Sequence, residues 1–198
     1  NYNGYTPVDG YVELKDAVIT KFKRDNTLTY NRNQIVVSTG AKQSIANAVQ
    51  VLINPGDDVL LVAPYWVSYS AIVILAEGNP IEIRSDIETD FKITPSQLEA
   101  AITPKTKLVM LNSPNNPSGS VYSKEEYEAL AEVLDKHPDI YVLSDEIYEH
   151  INYDNVSPFS FAAIPSMSGR TITVNGLAKA FAMTGWRIGY LGGPEWLA

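Results

Sequence analysis

The residues best suited to chemistry in this sequence are a lysine and an arginine near its end. Lys179 is surrounded by small and apolar residues, and Arg187 follows eight positions later among glycines and aromatic residues. Apolar surroundings disfavour the charged form of a lysine, so its amine can act as a nucleophile. An arginine held close by can bind a phosphate group. The pair predicts a lysine that forms a Schiff base with a phosphorylated aldehyde, which points to pyridoxal phosphate.

Four other segments carry the side chains that this cofactor requires. Asp145 follows an apolar run and can pair with the ring nitrogen, because a protonated ring makes the cofactor an electron sink. Tyr148 and Asn116 can donate hydrogen bonds to the ring oxygen, and Trp66 can stack on the ring. The small residues at 38–42 form a turn whose amide groups favour an anion. Each feature alone also fits a common turn, a surface acid or a core tryptophan, but together they favour the cofactor site.

The elements that must position these residues alternate between strand and helix patterns. Short apolar runs predict strands, and apolar periodicity and capping signals predict helices. The predicted strands are 34–38, 58–63, 80–84, 107–111, 140–144 and 171–174, and the predicted helices are 11–22, 42–53, 65–76, 95–102 and 123–136. This alternation predicts an α/β fold, a three-layer αβα sandwich with a mostly parallel central sheet. The candidate residues then lie at the carboxyl ends of strands, where such folds bind ligands.

Composition narrows the classes of protein. The 198 residues, 45% hydrophobic and 19% charged, indicate one folded domain over residues 1–198. A net charge of −8 gives no reason to expect nucleic acid or an anionic membrane as a partner. No apolar run approaches the roughly 20 residues that span a bilayer. The absence of cysteine excludes disulfides and thiolate metal sites and fits a cytoplasmic protein, and no metal is predicted. Both termini look cut, so we expect a piece of a longer protein.

Taken together, the motifs resemble the large domain of class I aminotransferases of pyridoxal phosphate fold type I. They are particularly similar to the bacterial aspartate aminotransferases whose phosphate turn reads glycine–alanine–lysine. The resemblance covers nearly the whole chain. After a tyrosine–threonine–proline stretch that begins at Tyr5, five motifs follow in the family's order at 38–43, 64–66, 112–119, 144–148 and 175–190.

The resemblance implies a role for each matching residue. Lys179 would be the Schiff base lysine and Asp145 the partner of the pyridine nitrogen, and with Tyr148 they would form the catalytic set. Tyr148 and Asn116 would flank the ring oxygen, while Trp66 would stack on the ring. The phosphate would be held by Gly40, Ala41, Lys42 and Arg187, and by Tyr5 from the partner subunit of a homodimer.

The resemblance also implies an activity, the transfer of an amino group between an amino acid, with aspartate favoured, and a 2-oxo acid. The arginine that binds the substrate carboxylate would lie in a small domain outside this chain, so the chain by itself is expected to be inactive. Gly176 and Ala178 occupy positions where many members have serine, which removes one expected hydroxyl contact to the phosphate.

Two alternatives remain open. One is a related enzyme on the same fold, such as an alanine or aromatic aminotransferase or a carbon–sulfur lyase. The other is the aminotransferase-like sensor domain of a transcription regulator, which would carry a basic helix-turn-helix segment upstream.

Overall fold

A computed structural model of the protein describes residues 4–153 and 158–198. Its strands are β1 (Ile35–Thr39), β2 (Asp58–Ala63), β3 (Asn79–Arg84), β4 (Thr106–Asn112), β5 (Tyr141–Asp145), β6 (Thr171–Gly176) and β7 (Ile188–Gly192). Its α-helices are α1 (Val12–Asn26), α2 (Ala41–Leu52), α3 (Ser68–Leu75), α4 (Pro95–Ala101) and α5 (Lys124–Leu134). The strands form one sheet in the order β1-β7-β6-β5-β4-β2-β3, and only β7 runs antiparallel to its neighbours. The predicted α/β fold with a mostly parallel sheet is confirmed.

The sheet is buried on both faces, as the apolar strands predict. Along β2, Val59 and Leu61 pack with α2 and α3, whereas Leu60 and Val62 belong to the cluster that contains residues of α4 and α5. This alternation follows from the two-residue repeat of a strand. Burial of each such side chain stabilises the fold by about 1.5–3 kcal/mol. None of the described helices is long and apolar enough to cross a membrane.

The helix boundaries agree with the predictions to within two residues except at two places, where the departures are larger. The helix predicted over 65–76 begins only at Ser68, so Trp66 lies in the turn between β2 and α3 rather than in a helix. The helix predicted over 11–22 continues to Asn26 and ends where Thr27 adopts a left-handed conformation with φ 59°. Its last turn carries no apolar stripe, so periodicity could not detect it. The capping boxes predicted for α4 and α5 are present.

Strand direction brings the candidate segments to one edge of the sheet. The carboxyl ends of the six parallel strands lie at that edge. Because β7 is antiparallel, its first residue also lies there, with Ile188 paired to Thr39 of β1 and Gly189 paired to Gly176 of β6. Arg187, which immediately precedes β7, therefore meets the turn after β1 and the segment after β6. The sequence did not predict that this last strand would be antiparallel.

Candidate active site

A cavity of about 290 Å³ opens at this edge of the sheet. Its volume is close to the lower end of the range for small-molecule sites, about 300–1,000 Å³. Eight of the ten predicted site residues line it, namely Ala41, Lys42, Trp66, Asn116, Asp145, Tyr148, Lys179 and Arg187. Gly40 lies directly behind the lining, against Arg187. The tenth residue, Tyr5, is fully exposed and does not line the cavity of this chain. Its predicted contact is with a partner subunit and stays a prediction.

One end of the cavity is built to receive an anion. Gly40 adopts φ +84°, a conformation that favours glycine, and α2 begins at the next residue, so the first amide groups of the helix face outward from this turn. A Cβ atom on Gly40 would lie 2.3 Å from Nη2 of Arg187, so the guanidinium lies directly against the turn. Arg187 Nη1 donates to the carbonyl of Thr184 at 3.0 Å. Helix amides and a guanidinium therefore converge, as a phosphate site requires.

Close approach of β7 keeps this end of the cavity compact. A Cβ atom on Gly189 would lie 2.2 Å from the amide nitrogen of Ala41, which leaves no room for any side chain. Arg187 itself has φ +54°, an unusual conformation for a residue other than glycine. Such strained residues cluster at functional sites. The backbone here is therefore shaped to hold the guanidinium in place.

Replacing Gly40 by alanine is expected to weaken binding of pyridoxal phosphate by about tenfold or more, since displacing the guanidinium costs a charge-assisted hydrogen bond. The dissociation constant, measured by absorbance titration, checks this. Gly56→Ala is the matched control, because Gly56 has φ +87° but nothing within 4 Å of its added Cβ. It carries the same backbone strain and should leave cofactor binding unchanged. Equal cofactor affinity in the two variants would refute the assignment.

Asp145 forms the floor of the cavity at the end of β5. Asp145 is 5% exposed, and its carboxylate accepts hydrogen bonds from Tyr69 Oη at 2.6 Å and from the Ile147 amide at 3.3 Å. Burial raises the pKa of Asp145, while these two hydrogen bonds and the charge of Lys179 act in the opposite direction. Within the described ranges Asp145 has no ion-pair partner. A cationic ring N–H placed in the cavity would supply the missing charge.

Two residues of this site were missed by the sequence analysis. Tyr69 packs edge-on against Trp66, with 5.6 Å between ring centroids, and burial raises its pKa so that the phenol remains a donor to Asp145. Its spacing of three residues from Trp66 was the available signal. Asn112 is the strand neighbour of Asp145, donates to its carbonyl at 2.9 Å, and accepts from the Asn116 amide at 2.7 Å. Only the pairing of β4 with β5 reveals that contact.

The remaining lining residues supply two hydrogen-bonding groups, an amine and an aromatic face. Asn116 Nδ2 donates to Tyr148 Oη at 3.3 Å, so the amide and the phenol that were predicted to flank one oxygen are adjacent. Lys179 Nζ lies 5.7 Å from the centroid of the Tyr148 ring. Trp66 is half-buried and forms an aromatic wall, with Lys42 Nζ 4.8 Å from its ring centroid. Lys42 thus sits between the turn and this wall, and its predicted phosphate contact stays a prediction.

One argument from the sequence is wrong. Apolar neighbours were expected to surround the Lys179 side chain, but Lys179 is exposed in this structure, and Phe181 and Trp186 are 57% and 70% exposed. The physical reason is local geometry. Residues 177–187 form turns and one short 3-10 helix (Thr184–Trp186) at the rim of the cavity rather than an α-helix or a strand, so their apolar side chains do not pack around the amine. The position of Lys179 in the lining of the cavity, and not its burial, is what supports it as the candidate amine.

Comparison with known proteins agrees with this arrangement. The family model described as aminotransferase class I and II matches residues 1–198. The aspartate/prephenate aminotransferase of Nitrosomonas europaea is 53% identical over 194 residues, which are 98% of this chain and 49% of that protein. The crystal structure of the aspartate aminotransferase from Rhizobium meliloti matches with a TM-score of 0.96 and 51% identity, over 98% of this chain and 49% of that one.

A more distant solved structure, the aromatic aminotransferase from Pyrococcus horikoshii, matches with a TM-score of 0.95 and 39% identity, over 98% of this chain and 52% of that one. The fold is therefore common to relatives whose names give different substrates. The chain spans about half the length of the curated relatives that it matches.

Proposed function

Since the chain belongs to the aminotransferase class I and II family, we propose that residues 1–198 are the cofactor-binding domain of an aminotransferase that uses pyridoxal phosphate. The observation that carries the proposal is the convergence of three groups on one cavity. These are the Lys179 amine, the buried carboxylate of Asp145, and the guanidinium of Arg187 against the turn at Gly40. The amine can react with an aldehyde, the buried carboxylate can pair with a cationic ring, and the anion-binding end of the cavity can hold a phosphate.

Each residue then has a task that follows from its chemistry. Arg187 and the first amides of α2 would hold the phosphate, and Lys179 Nζ would hold the aldehyde end of the cofactor. Asp145 would keep the ring nitrogen protonated, with its orientation fixed by the hydrogen bond from Tyr69. Asn116 and Tyr148 would donate to the ring oxygen, while Trp66 would cover one face of the ring and exclude water. Bound in this way, pyridoxal phosphate supplies an electron sink for the bond broken at the substrate Cα.

Lys179 also has a second task, the movement of a proton. The Lys179 amine would lie beside the substrate Cα and would accept and return the proton there. A base already held at the reacting atom reacts as an intramolecular group, which lowers the barrier by several kcal/mol. The ring of Tyr148, 5.7 Å from Nζ, limits where this amine can lie.

The substrates that we propose are aspartate as amino donor and 2-oxoglutarate as acceptor. The names of the relatives support aspartate, and the name of the Nitrosomonas protein adds prephenate as a candidate acceptor. Of the five arginines in the chain, only Arg187 lines the cavity, so we place the arginine for the substrate carboxylate in a further part of the protein. A homodimer in which Tyr5 reaches the partner's phosphate, and a cytoplasmic location, stay predictions.

The test uses the full-length protein loaded with pyridoxal phosphate. Aspartate alone should yield one equivalent of oxaloacetate per site, and 2-oxoglutarate added afterwards should permit continuous turnover. Faster turnover with phenylalanine than with aspartate would indicate an aromatic aminotransferase instead. Release of a thiol, ammonia and a 2-oxo acid from a sulfur amino acid, with no 2-oxo acid added as acceptor, would indicate a carbon–sulfur lyase. Tight cofactor binding without any turnover would fit a sensor domain and would contradict the proposal.

A further inference from the structure

The turn that carries Asp145 and Tyr148 has a second, buried side. Asp145 and Tyr148 are three residues apart and line the cavity. Glu146 and Glu149 have the same spacing, do not line the cavity, and are only 3% and 8% exposed. The Glu149 amide donates to the Glu146 carbonyl at 3.0 Å, which closes the turn. Two buried acidic groups directly behind a cofactor site require an explanation.

The Glu149 carboxylate joins two different elements. Its Oε1 accepts from Asn175 Nδ2 of β6 at 2.8 Å, and its Oε2 accepts from Asn26 Nδ2 of α1 at 2.7 Å. Lys21 of α1 forms an ion pair with Glu149 and also donates to Asn26 Oδ1 at 2.7 Å. The other carboxyl differs, because Glu146 Oε1 accepts from two serine hydroxyls and burial raises the pKa of Glu146 to about 7. Glu149 is thus the carboxylate that pairs with the lysine.

The Glu149–Asn175 bond lies where the sheet ends. The last backbone hydrogen bond between the β5 and β6 segments is the one from the Glu146 amide to the Val174 carbonyl, at 2.9 Å. Beyond it the two strands part, since the segment after β5 turns toward Tyr148 while β6 continues to Gly176, paired only with β7, and then leads to Lys179. The hydrogen bond from Asn175 to Glu149 joins these two segments just beyond that last backbone bond. Glu149 directly follows Tyr148 in the sequence, and Asn175 directly precedes Gly176.

We propose that Glu149 is a positioning residue for the reaction, acting through Asn175 to fix the Lys179 segment relative to Tyr148 and Asp145. The inference rests on the proposed function and assigns it a residue that lies outside the lining of the cavity, against α1. Glu149 touches neither cofactor nor substrate. Its effect is on the distance between the lysine amine and the phenol.

Only a carboxylate can make both contacts. Asn175 and Asn26 each present an N–H donor to Glu149, on opposite oxygens. A glutamine at 149 has one oxygen and one N–H₂ group. Its N–H₂ group must therefore face the N–H₂ group of one of the two asparagines, and two donors cannot form a hydrogen bond. Glu149→Gln therefore breaks the bridge to β6 or the contact to α1. Asn175→Asp in the same protein restores complementarity, because the new amide can donate to the new carboxylate while its oxygen still accepts from Asn26. Lys21 loses its pairing with Oε1 in both the single and the double variant but keeps its hydrogen bond to Asn26 Oδ1.

The experiment compares wild type, Glu149→Gln, Asn175→Ala and the double variant Glu149→Gln/Asn175→Asp as full-length proteins. Two properties of the bound cofactor are measured. One is its dissociation constant, and the other is the pH at which its absorbance is halfway between the values at low and high pH. The melting temperature of each cofactor-free protein is measured separately. We expect both single variants to raise the dissociation constant by about tenfold and to shift the pH midpoint, and the double variant to restore both. Asn175→Ala leaves the Lys21–Glu149 pair intact, so it reports on the bridge even if Glu149→Gln does not fold.

A matched control separates positioning from stability. Asp58 is 7% exposed at the opposite edge of the sheet, and it accepts from Thr103 Oγ1 at 2.6 Å. Asp58→Asn should lower the melting temperature and leave the cofactor absorbance and affinity unchanged. The inference is overturned if Asp58→Asn disturbs the cofactor as much as Glu149→Gln does. It is also overturned if the single variants change only the melting temperature, or if the double variant restores nothing.

The outcome for wild type distinguishes this inference from the proposed function. A wild-type protein that takes up no pyridoxal phosphate overturns the proposed function, and the inference with it. A wild-type protein that binds and reacts normally, beside variants whose bound cofactor is unaltered, overturns the inference alone.

Discussion

Replacing Lys179 by alanine is expected to abolish covalent attachment of pyridoxal phosphate and to lower the rate of amino transfer by at least about 10⁴-fold. The variant loses both the amine that binds the aldehyde and the base that moves the Cα proton, and proton transfer by a positioned base alone contributes about 10²–10⁴-fold. Steady-state kinetics and the absorbance spectrum of the loaded protein check the two losses separately. Arg187 and the turn at Gly40 remain, so noncovalent binding of the cofactor should persist.

An exposed lysine elsewhere provides the control for this variant. Lys124 forms an ion pair with Glu128 on the surface of α5, away from the cavity. Lys124→Ala should retain both the spectrum and the rate of wild type. Small amines added to the buffer should restore part of the activity of Lys179→Ala, because they can enter the space that the side chain leaves. Activity of Lys179→Ala within tenfold of wild type would show that another group does this chemistry.

Replacing Asp145 by asparagine is expected to lower kcat/KM by about 10³-fold and to reduce cofactor retention far less. A carboxylate about 4 Å from a cationic ring stabilises it by about 4 kcal/mol at an effective dielectric constant of 20, which corresponds to about 10³ in rate when the charge is needed for reaction. The phosphate and the imine contacts do not involve Asp145, so the cofactor should remain bound. Kinetics and equilibrium dialysis measure the two effects.

Tyr69→Phe tests whether the charge or the hydrogen bond matters at Asp145. This variant removes the 2.6 Å hydrogen bond and leaves the carboxylate in place. We expect a loss of only about tenfold, the value of one hydrogen bond to a charged group. If Tyr69→Phe were as damaging as Asp145→Asn, or if Asp145→Asn kept more than a tenth of wild-type activity, the role assigned to the carboxylate would be wrong.

Much of the site could be predicted from the sequence because its residues follow the strands directly. Asp145 ends one apolar run, and Asn116 and Trp66 follow two others, so the parallel arrangement alone brings them to one edge. The turn at Gly40 was predictable for the same reason. In each case the position of the residue relative to its own strand was sufficient, and no long-range contact had to be known.

The residues that escaped prediction depend on contacts between distant segments. Asn112 matters because β4 lies next to β5. Arg187 was predicted, but the antiparallel direction of β7, which brings it to the turn at Gly40, was not. Glu149 binds a residue of α1 that is 123 positions earlier in the chain. The exposure of Lys179 could not be read from its apolar neighbours, because turns at the rim direct those side chains outward. Local patterns contain no information about such pairings.

The attachment point of the cofactor tests the central claim most directly. The full-length protein, loaded with pyridoxal phosphate, is reduced with borohydride, digested and mapped by mass spectrometry. The account predicts a single pyridoxyl group, on the peptide that contains Lys179. A pyridoxyl group on Lys42 or on any other lysine, with Lys179 unmodified, would contradict it.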